Sequence, residues 1–507
     1  MNIVIRADSS VHIGSGHIVR CAVLAKELKS QGHSIRFAVR PQNGDSVGWI
    51  RYQGFDVCEL PPPKEYVIPK NSSDYAAWLQ VPIELDADQF ILAVKCADLV
   101  IVDHYALGAE WENEVRNRLD CKIVAIDDLV RKHHAELIVD QTLMRSPDDY
   151  KAINSDTAIL TGCDYALLNL QFAAKREDAL EGNRFPIKPK ILLSMGGIDK
   201  NNVTLQILKI LQSGLSDKIQ VTVLLGSKCP SYDEVKAFCS LNSDWIEHID
   251  FTDDMAETML AHSLAIGAAG TTSWERACLG IPSIIIPLAD NQLTVARNLA
   301  AVNASILVEK ENIITELVSA YKALIENWSA FRQENLKLCD GLGVRRVVQE
   351  INNLLFEQDA KLSIRLRLAC ENDIKQVFTW QCHADTRKYS LTTNRPSWEE
   401  HRQWMEQKLK SVEDFFYMVT FSEHDKSVAV IRLDRIKKAE YIVSIFVSPE
   451  HYGQGIGLKT LSYVDDIHKD VTLHATVLET NSPSQRLFMA ANYQRISKDT
   501  FIRLPII

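Results

Sequence analysis

A histidine placed directly after a glycine-bearing loop is the first feature that could do chemistry. Residues 8–20 read DSSVHIGSGHIVR. Gly14 and Gly16 let backbone approach a ligand closely, and the helix that follows presents unpaired N–H groups suited to an anion. His17 sits at that helix start, and a histidine can take a proton from water near neutral pH. The rival reading is a dinucleotide fingerprint, G-x-G-x-x-G. Val19 stands where its third glycine belongs, and the next apolar run ends FAVR, without the acidic residue that would hold a ribose.

Two later loops repeat the arrangement. SMGGID, with Gly196 and Gly197, follows one apolar run, and GAAGTTSWERACLGIP follows another and opens a helix. Gly270, Thr271, Thr272 and Ser273 place N–H and hydroxyl donors where a diphosphate could lie, and Glu275 could accept from ribose hydroxyls. The plain alternative is a capped helix, because Thr272 or Ser273 is also a good N-cap. Three glycine-bearing strand-to-helix turns, all able to face one crevice, favour a ligand site.

The elements that must position these loops are legible in outline. Asn2–Ala7 and Ser34–Val39 are strand-like, and Gly16–Ser30 has apolar residues at helical spacing. ADLVIVDHY and CKIVAIDDL are apolar runs that end in polar residues, the pattern of parallel strands covered on both faces. After the proline-flanked FPIKPK, a second α/β unit has KILLSMGG, IQVTVLLGS, LAIGAAG and PSIIIPL as buried strands, with residues 345–356 as a closing helix. The polar stretch at residues 357–361 marks a domain boundary. Beyond it come Trp- and Gln-rich helices, an antiparallel-looking strand series and a glycine-rich turn into a helix.

The ordered set AD-x-x-x-x-I-G-x-G-H, VDHY, IDD, GG-x-D, G-x-x-G-T-T-S-W-E and ADNQ resembles the UDP-sugar hydrolases of pseudaminic acid synthesis. The resemblance spans nearly all of residues 1–350. It implies the GT-B fold of nucleotide-sugar glycosyltransferases and hydrolysis of UDP-2,4-diacetamido-2,4,6-trideoxy-β-L-altropyranose to UDP and the free sugar. It further implies His17 as the base that activates water, with Tyr105 and Asn291 beside the sugar. Such family members carry an arginine and an acidic residue in the segment that here reads YALLNLQF, where Asn169 and Gln171 stand instead. Asn169 is retained as a substrate contact. UDP is already a good leaving group, so the site needs mainly a placed water, a base and donors for the departing charge. No divalent metal is demanded if helix N-termini and hydroxyls hold the diphosphate.

VSIFVSPEHYGQGIGLKTL resembles the acetyl-CoA loop of the GNAT acetyltransferases, with Tyr452 in place of the usual Arg or Gln. HATVLETNSPSQRLFMAANYQ resembles that family's closing strand and helix, Asn481 and Ser484 matching its N-x-x-[AS] step. The resemblance implies acetyl-CoA as co-substrate, held by Val447, Tyr452, Gly453, Gln454, Gly455, Gly457, Leu458 and Asn481, with the strand 443–447 offering main-chain groups to the pantetheine arm. The family's proton-donating tyrosine is Phe488 here, which leaves the acid and base open among His451, Tyr452, His474 and Glu479.

The expected architecture is α/β: Rossmann-like domains over 1–183 and 184–357 forming a GT-B pair, then a GNAT α+β domain over 362–507. A length of 507 residues requires more than one core. The net charge of -10 argues against nucleic acid, whose binders present a basic face. No apolar run approaches the roughly 20 residues that span a bilayer, and the first residues read as a strand rather than a signal peptide. The 11 cysteines show no C-x-x-C pair, which points to a reducing, cytoplasmic setting with small-molecule partners. Two other readings stay open: a GT-B glycosyltransferase with an acceptor, and a silent sugar-nucleotide module fused to an acyltransferase.

Overall fold

Continuous apolar runs need cover on both faces, and parallel sheets flanked by helices supply it. The computed structural model describes residues 1–181, 185, 188–196, 199, 201–215, 219–356, 363–391, 394–422 and 426–506. In the first sheet, β1 (Asn2–Ala7), β2 (Ser34–Val39), β3 (Asp56–Glu59), β4 (Leu99–Asp103), β5 (Lys122–Ile126), β6 (Leu137–Asp140) and β7 (Ala158–Thr161) lie in the order β3-β2-β1-β4-β5-β6-β7. Every pairing in it is parallel; at its centre Ile5 stands opposite both Phe37 and Ile101. Ile3, Val4, Ile5, Leu99, Val100 and Ile101 are fully buried, which accounts for the runs being unbroken by polar residues.

The second sheet holds β8 (Lys190–Ser194), β9 (Gln220–Leu224), β10 (Ile246–Ile249), β11 (Leu264–Gly267), β12 (Ser283–Ile285) and β13 (Ser305–Leu307), again all parallel, in the order β10-β9-β8-β11-β12-β13. In both sheets the chain reverses direction beside the first strand, β1 or β8. Ligands of open α/β sheets bind outside the carboxyl ends of strands at such a switch point. The carboxyl ends of β1, β4, β5 and β6 deliver the His17 loop, Asp103 with Tyr105, Asp127 with Asp128, and Asp140. Those of β8, β11 and β12 deliver Gly196, the Gly270–Glu275 turn and the segment leading to Asn291.

The third sheet has seven strands: β14 (Ile364–Leu368), β15 (Phe415–Phe421), β16 (Ser427–Lys437), β17 (Glu440–Val447), β18 (Thr472–Thr476), β19 (Gln494–Arg495) and β20 (Thr500–Arg503). It is antiparallel except where β17 meets β18, and that parallel pairing covers only Glu440–Ile442 against Thr472–His474. Beyond Ile442 the two strands separate, while β17 stays paired with β16 as far as Val447. Leu366, Val419, Ile431, Leu461, Val464, Leu473 and Phe501 fill the core on one face.

By contact the chain forms two compact units: residues 1–26 with 34–344, and residues 345–507 with 27–33. From Arg345 on, the helix Gly343–Leu355 thus belongs to the second unit, where Asn353 donates to Leu366 O at 3.0 Å and accepts from the Tyr463 hydroxyl at 2.8 Å. The expected boundary at 357–361 lies outside the described residues.

Candidate functional site

The helix Gly16–Ser30 starts at the β1 loop, so His17 and Arg20, one turn apart, project on the same side of its first turn. Both meet Asp103, the last residue of β4. His17 Nδ1 donates to Asp103 Oδ1 at 2.6 Å, while Arg20 Nη2 and Nε donate to its two oxygens at 2.7 Å each. Burial pushes the Asp103 carboxyl up, but Arg20 and His17 more than offset it and hold it well below the usual carboxylate range. An ionised Asp103 can only accept, so the proton of His17 is fixed on Nδ1 and Nε2 is left as the basic nitrogen.

Arg20 also reaches Asp128, just past β5, at 2.7 Å; the Tyr105 hydroxyl donates to the same Asp128 oxygen at 2.7 Å. Burial and then Asp128 push the Tyr105 phenol far up, so this hydroxyl stays a donor. The Tyr105 ring stands edge-on to His17 with centroids 4.7 Å apart, and Trp78 and Tyr75 pack around it at 5.7 and 5.0 Å. A buried ionic lattice lies under the loop. Asp8 accepts from Arg6 at 2.6 Å and from the Arg40 backbone at 2.8 Å, and Arg6 and Arg40 both reach Asp86. All four side chains are fully buried, so the loop leaves β1 from a fixed point.

A cavity of about 240 Å³ opens beside this network. Tyr75, Asp128, Leu129 and Thr142 line it from the first sheet's half, and Asp290, Asn291, Thr294 and Val295 from the helix Asp290–Ala301 of the second. Of the two residues expected beside a sugar, Asn291 lines this space, while Tyr105 is buried behind it and bonded to Asp128, which lines it. Asp290 Oδ2 accepts from the Ser72 and Ser73 hydroxyls at 3.1 and 2.9 Å.

The remaining sequence-selected residues take varied places. Gly14 has φ +82° and Gly196 has φ +86°, and a Cβ on either would meet nothing within 4 Å, as at Gly16 and Gly270. Gly197 lies outside the described residues. In the third loop Ser273 is buried and its hydroxyl is engaged internally, accepting from Gly270 N at 3.4 Å and Arg276 at 3.1 Å. Thr272 Oγ1 likewise accepts from Arg276 at 3.4 Å, and Thr271 precedes it at the helix start. Glu275 Oε2 is buried without a partner among the described residues, and burial raises this carboxyl to about 7 against the pull of Arg276. Asn169 Oδ1 accepts from Gln171 N at 3.0 Å, which caps the helix Leu170–Glu181.

In the second unit the turn after β17 leaves Gly453 at φ +76° and Gly455 at φ +81°, with nothing within 4 Å of a Cβ built on either. Gly457 is inside the helix Ile456–Ile467, where a Cβ would come to 3.2 Å of Leu487. The separation of β17 from β18 leaves the main chain of Val443–Val447 unpaired on that side, and Val447 ends the strand just before the turn. An open glycine turn and an open strand edge lie side by side there, the two features that the expected pyrophosphate and pantetheine contacts would need. Gln454 Nε2 donates to Glu450 O at 3.4 Å, Leu458 is exposed, and Tyr452 shares a 2.9 Å hydrogen bond with Thr386. Asn481 Oδ1 caps the helix Ser482–Ala490 through Ser484 N at 3.1 Å. Phe488 is buried against Tyr493 and Phe501, so the apolar core claims this position.

Sequence reasoning missed Asp103, Arg20, Asp128, Tyr75 and Trp78. Two of them stood inside the quoted strings VDHY and IDD, as acidic residues at strand ends; Tyr75 and Trp78 lie in a short helix with no periodic signal.

Residues 194–351 match the glycosyltransferase family 28 C-terminal domain, and residues 363–494 match the acetyltransferase (GNAT) domain. An uncharacterized protein of Methanocaldococcus jannaschii, MJ1062, is 23% identical over 98% of both chains. The UDP-2,4-diacetamido-2,4,6-trideoxy-β-L-altropyranose hydrolase of Campylobacter jejuni is 26% identical over 51% of this chain and 82% of its own. The solved structure of Acinetobacter baumannii MurG superposes with a TM-score of 0.50 at 16% identity, covering 69% of this chain and 99% of MurG. The first two sheets thus form a GT-B pair, and a GNAT domain follows them.

Proposed function

We propose that this chain, which carries a family 28 glycosyltransferase C-terminal domain and a GNAT domain, acetylates and then hydrolyses one UDP-activated amino-sugar. The substrates would be UDP-4-amino-4,6-dideoxy-β-L-AltNAc with acetyl-CoA, and then UDP-2,4-diacetamido-2,4,6-trideoxy-β-L-altropyranose. Both reactions draw on cytoplasmic metabolites.

The observation that carries the hydrolase reading is His17, held by Asp103 and Arg20 next to the cavity that Asn291 lines. His17 Nε2 takes a proton from water as the water oxygen bonds to the anomeric carbon and the carbon–oxygen bond to UDP breaks. Asp103 stabilises the imidazolium so formed and keeps the ring in register. Donors of the Gly270–Thr272 turn receive the departing diphosphate, and Glu275 accepts from the ribose. The name of the Campylobacter jejuni relative supports the choice of sugar.

In the GNAT domain, Gly453 and Gly455 hold the pyrophosphate and the free edge of β17 holds the pantetheine arm. When bound, acetyl-CoA supplies the acetyl group, which passes to the sugar's amine while the thiol leaves. Incubation with the diacetamido UDP-sugar should release UDP and free sugar without any acceptor, and His17→Ala should stop that release. UDP release that depends on an added acceptor would instead mark a glycosyltransferase.

A further inference from the structure

Of the three rings grouped around His17, only one still meets open space. Trp78 and Tyr105 are 6% and 7% exposed. Tyr75 is half-buried and lines the cavity of about 240 Å³. Its ring meets Trp78 at 4.8 Å and Tyr105 at 5.0 Å, at steep interplanar angles of 79° and 66°, so both neighbours brace it and neither is stacked flat upon it. Leu129 and Val295 extend the apolar part of the lining, while Asp290 and Asn291 supply polar groups. The volume lies below the roughly 300 Å³ at which pockets for drug-sized ligands begin, so it suits one sugar unit rather than a whole sugar nucleotide. A pyranose is two-faced in the same way. Its hydroxyl and amide groups point outward around the rim, its ring C–H bonds form apolar patches above and below, and a deoxygenated C6 adds a methyl group.

We infer that Tyr75 is a substrate-recognition residue of the hydrolase, its ring the platform on which the C–H face of the sugar rests. An aromatic face offers a large apolar area at little conformational cost, and its negative charge distribution attracts the weakly positive hydrogens of sugar carbons. Tyr75 and His17 share Trp78 and Tyr105 as neighbours, so a sugar seated on Tyr75 lies within one side chain of the base. The ring opens the helix Tyr75–Leu79, just after Ser72 and Ser73, whose hydroxyls reach Asp290 on the opposite wall. The segment that carries the platform is therefore also tied to the helix that brings polar groups to the sugar's rim. This inference rests on the hydrolase reading above.

The test uses the full chain, with UDP-2,4-diacetamido-2,4,6-trideoxy-β-L-altropyranose as substrate and UDP alone as the control ligand. In Tyr75→Ala the KM for the sugar nucleotide should rise roughly tenfold, the loss expected when some tens of square ångströms of apolar contact revert to water. UDP affinity by calorimetry should stay at the wild-type value, because the ring meets the sugar and not the nucleotide. Tyr75→Phe keeps the flat face and should keep the wild-type KM. Tyr75→Leu decides if the alanine protein does not fold: it fills the place beside Trp78 and Tyr105 without a flat face, and it too should raise KM. An unchanged KM would overturn the inference. So would a fall in kcat alone, which would make the ring a brace for Trp78 and Tyr105, or an equal loss of affinity for UDP. Absence of UDP release by wild-type protein would instead overturn the hydrolase reading, and calorimetry of the intact sugar nucleotide with wild type and Tyr75→Ala would still decide the platform.

Discussion

Replacing Asp103 with Asn tests whether the constellation around His17 works as a base. The carboxylate takes three charged or polar donors at 2.6–2.7 Å, one from His17 and two from Arg20. An amide has one accepting end. If its oxygen serves Arg20, its NH2 faces His17 Nδ1, draws the imidazole proton to Nε2 and removes the lone pair that water needs. If its oxygen serves His17, the NH2 confronts the Arg20 guanidinium. General-base assistance is worth roughly 10²–10⁴ in rate, which is about 3–5.5 kcal/mol of barrier. We expect kcat for UDP release to drop across that range. Breaking a buried ion pair costs about 3–5 kcal/mol, yet Arg20 retains Asp128 at 2.7 Å, so the loss of stability should fall below it. The assay is UDP release at saturating sugar nucleotide, with thermal melting of the same sample to show that it is folded. A folded Asp103→Asn protein turning over within about threefold of wild type, well short of the loss of a general base, would refute the reasoning.

Three further outcomes can be checked directly. UDP affinity by calorimetry should weaken as pH falls through about 7, where the buried Glu275 carboxyl takes up its proton, and Glu275→Gln should flatten that dependence. Gly455→Val should abolish acetyl-CoA binding, because φ is +81° there and the open space beside it is where the pyrophosphate would lie; unchanged affinity would leave the loop as a mere turn. Phe488→Tyr should not speed acetyl transfer and should lower stability by about 1–3 kcal/mol, since its hydroxyl would enter a core formed with Phe501 and Tyr493. A faster enzyme would place Phe488 beside the departing sulfur instead.

Local pattern carried the fold a long way. The strands Asn2–Ala7 and Ser34–Val39 and the helix Gly16–Ser30 follow directly from where apolar residues recur. The order of the motifs brought His17, Tyr105 and Asn291 to attention; the fold sets His17 against Tyr105 and puts Asn291 on the cavity that Asp128, the Tyr105 partner, also lines. The carboxylates were harder to read. What distinguishes Asp103 or Asp128 from any acid at a strand end is Arg20, which lies 83 and 108 positions away from them. A pairing of that range leaves no trace in spacing. Ser273 shows the converse: its type says only that a hydroxyl is present, and the fold adds that Arg276 and the loop's own Gly270 donate to its oxygen, which leaves the O–H as the group able to donate. Tertiary competition for a hydroxyl is invisible until the neighbours are in place.

The two serine hydroxyls on Asp290 have a kinetic consequence. They come from the first sheet's half and close on the helix that carries Asn291, at the rim of the cavity. A sugar nucleotide that enters or leaves past this rim must part them. Both bonds are exposed, and exposed hydrogen bonds trade readily with water, so the closure is cheap to open and gains little by holding. Residence time is then set by how the ligand itself ties the halves together. In the proposed hydrolysis, cutting the bond to UDP would leave no single molecule spanning from a nucleotide held at Glu275 to a sugar held at Asn291. The free sugar can depart while UDP stays behind, and solvent viscosity would slow the second departure more than the chemistry that precedes it.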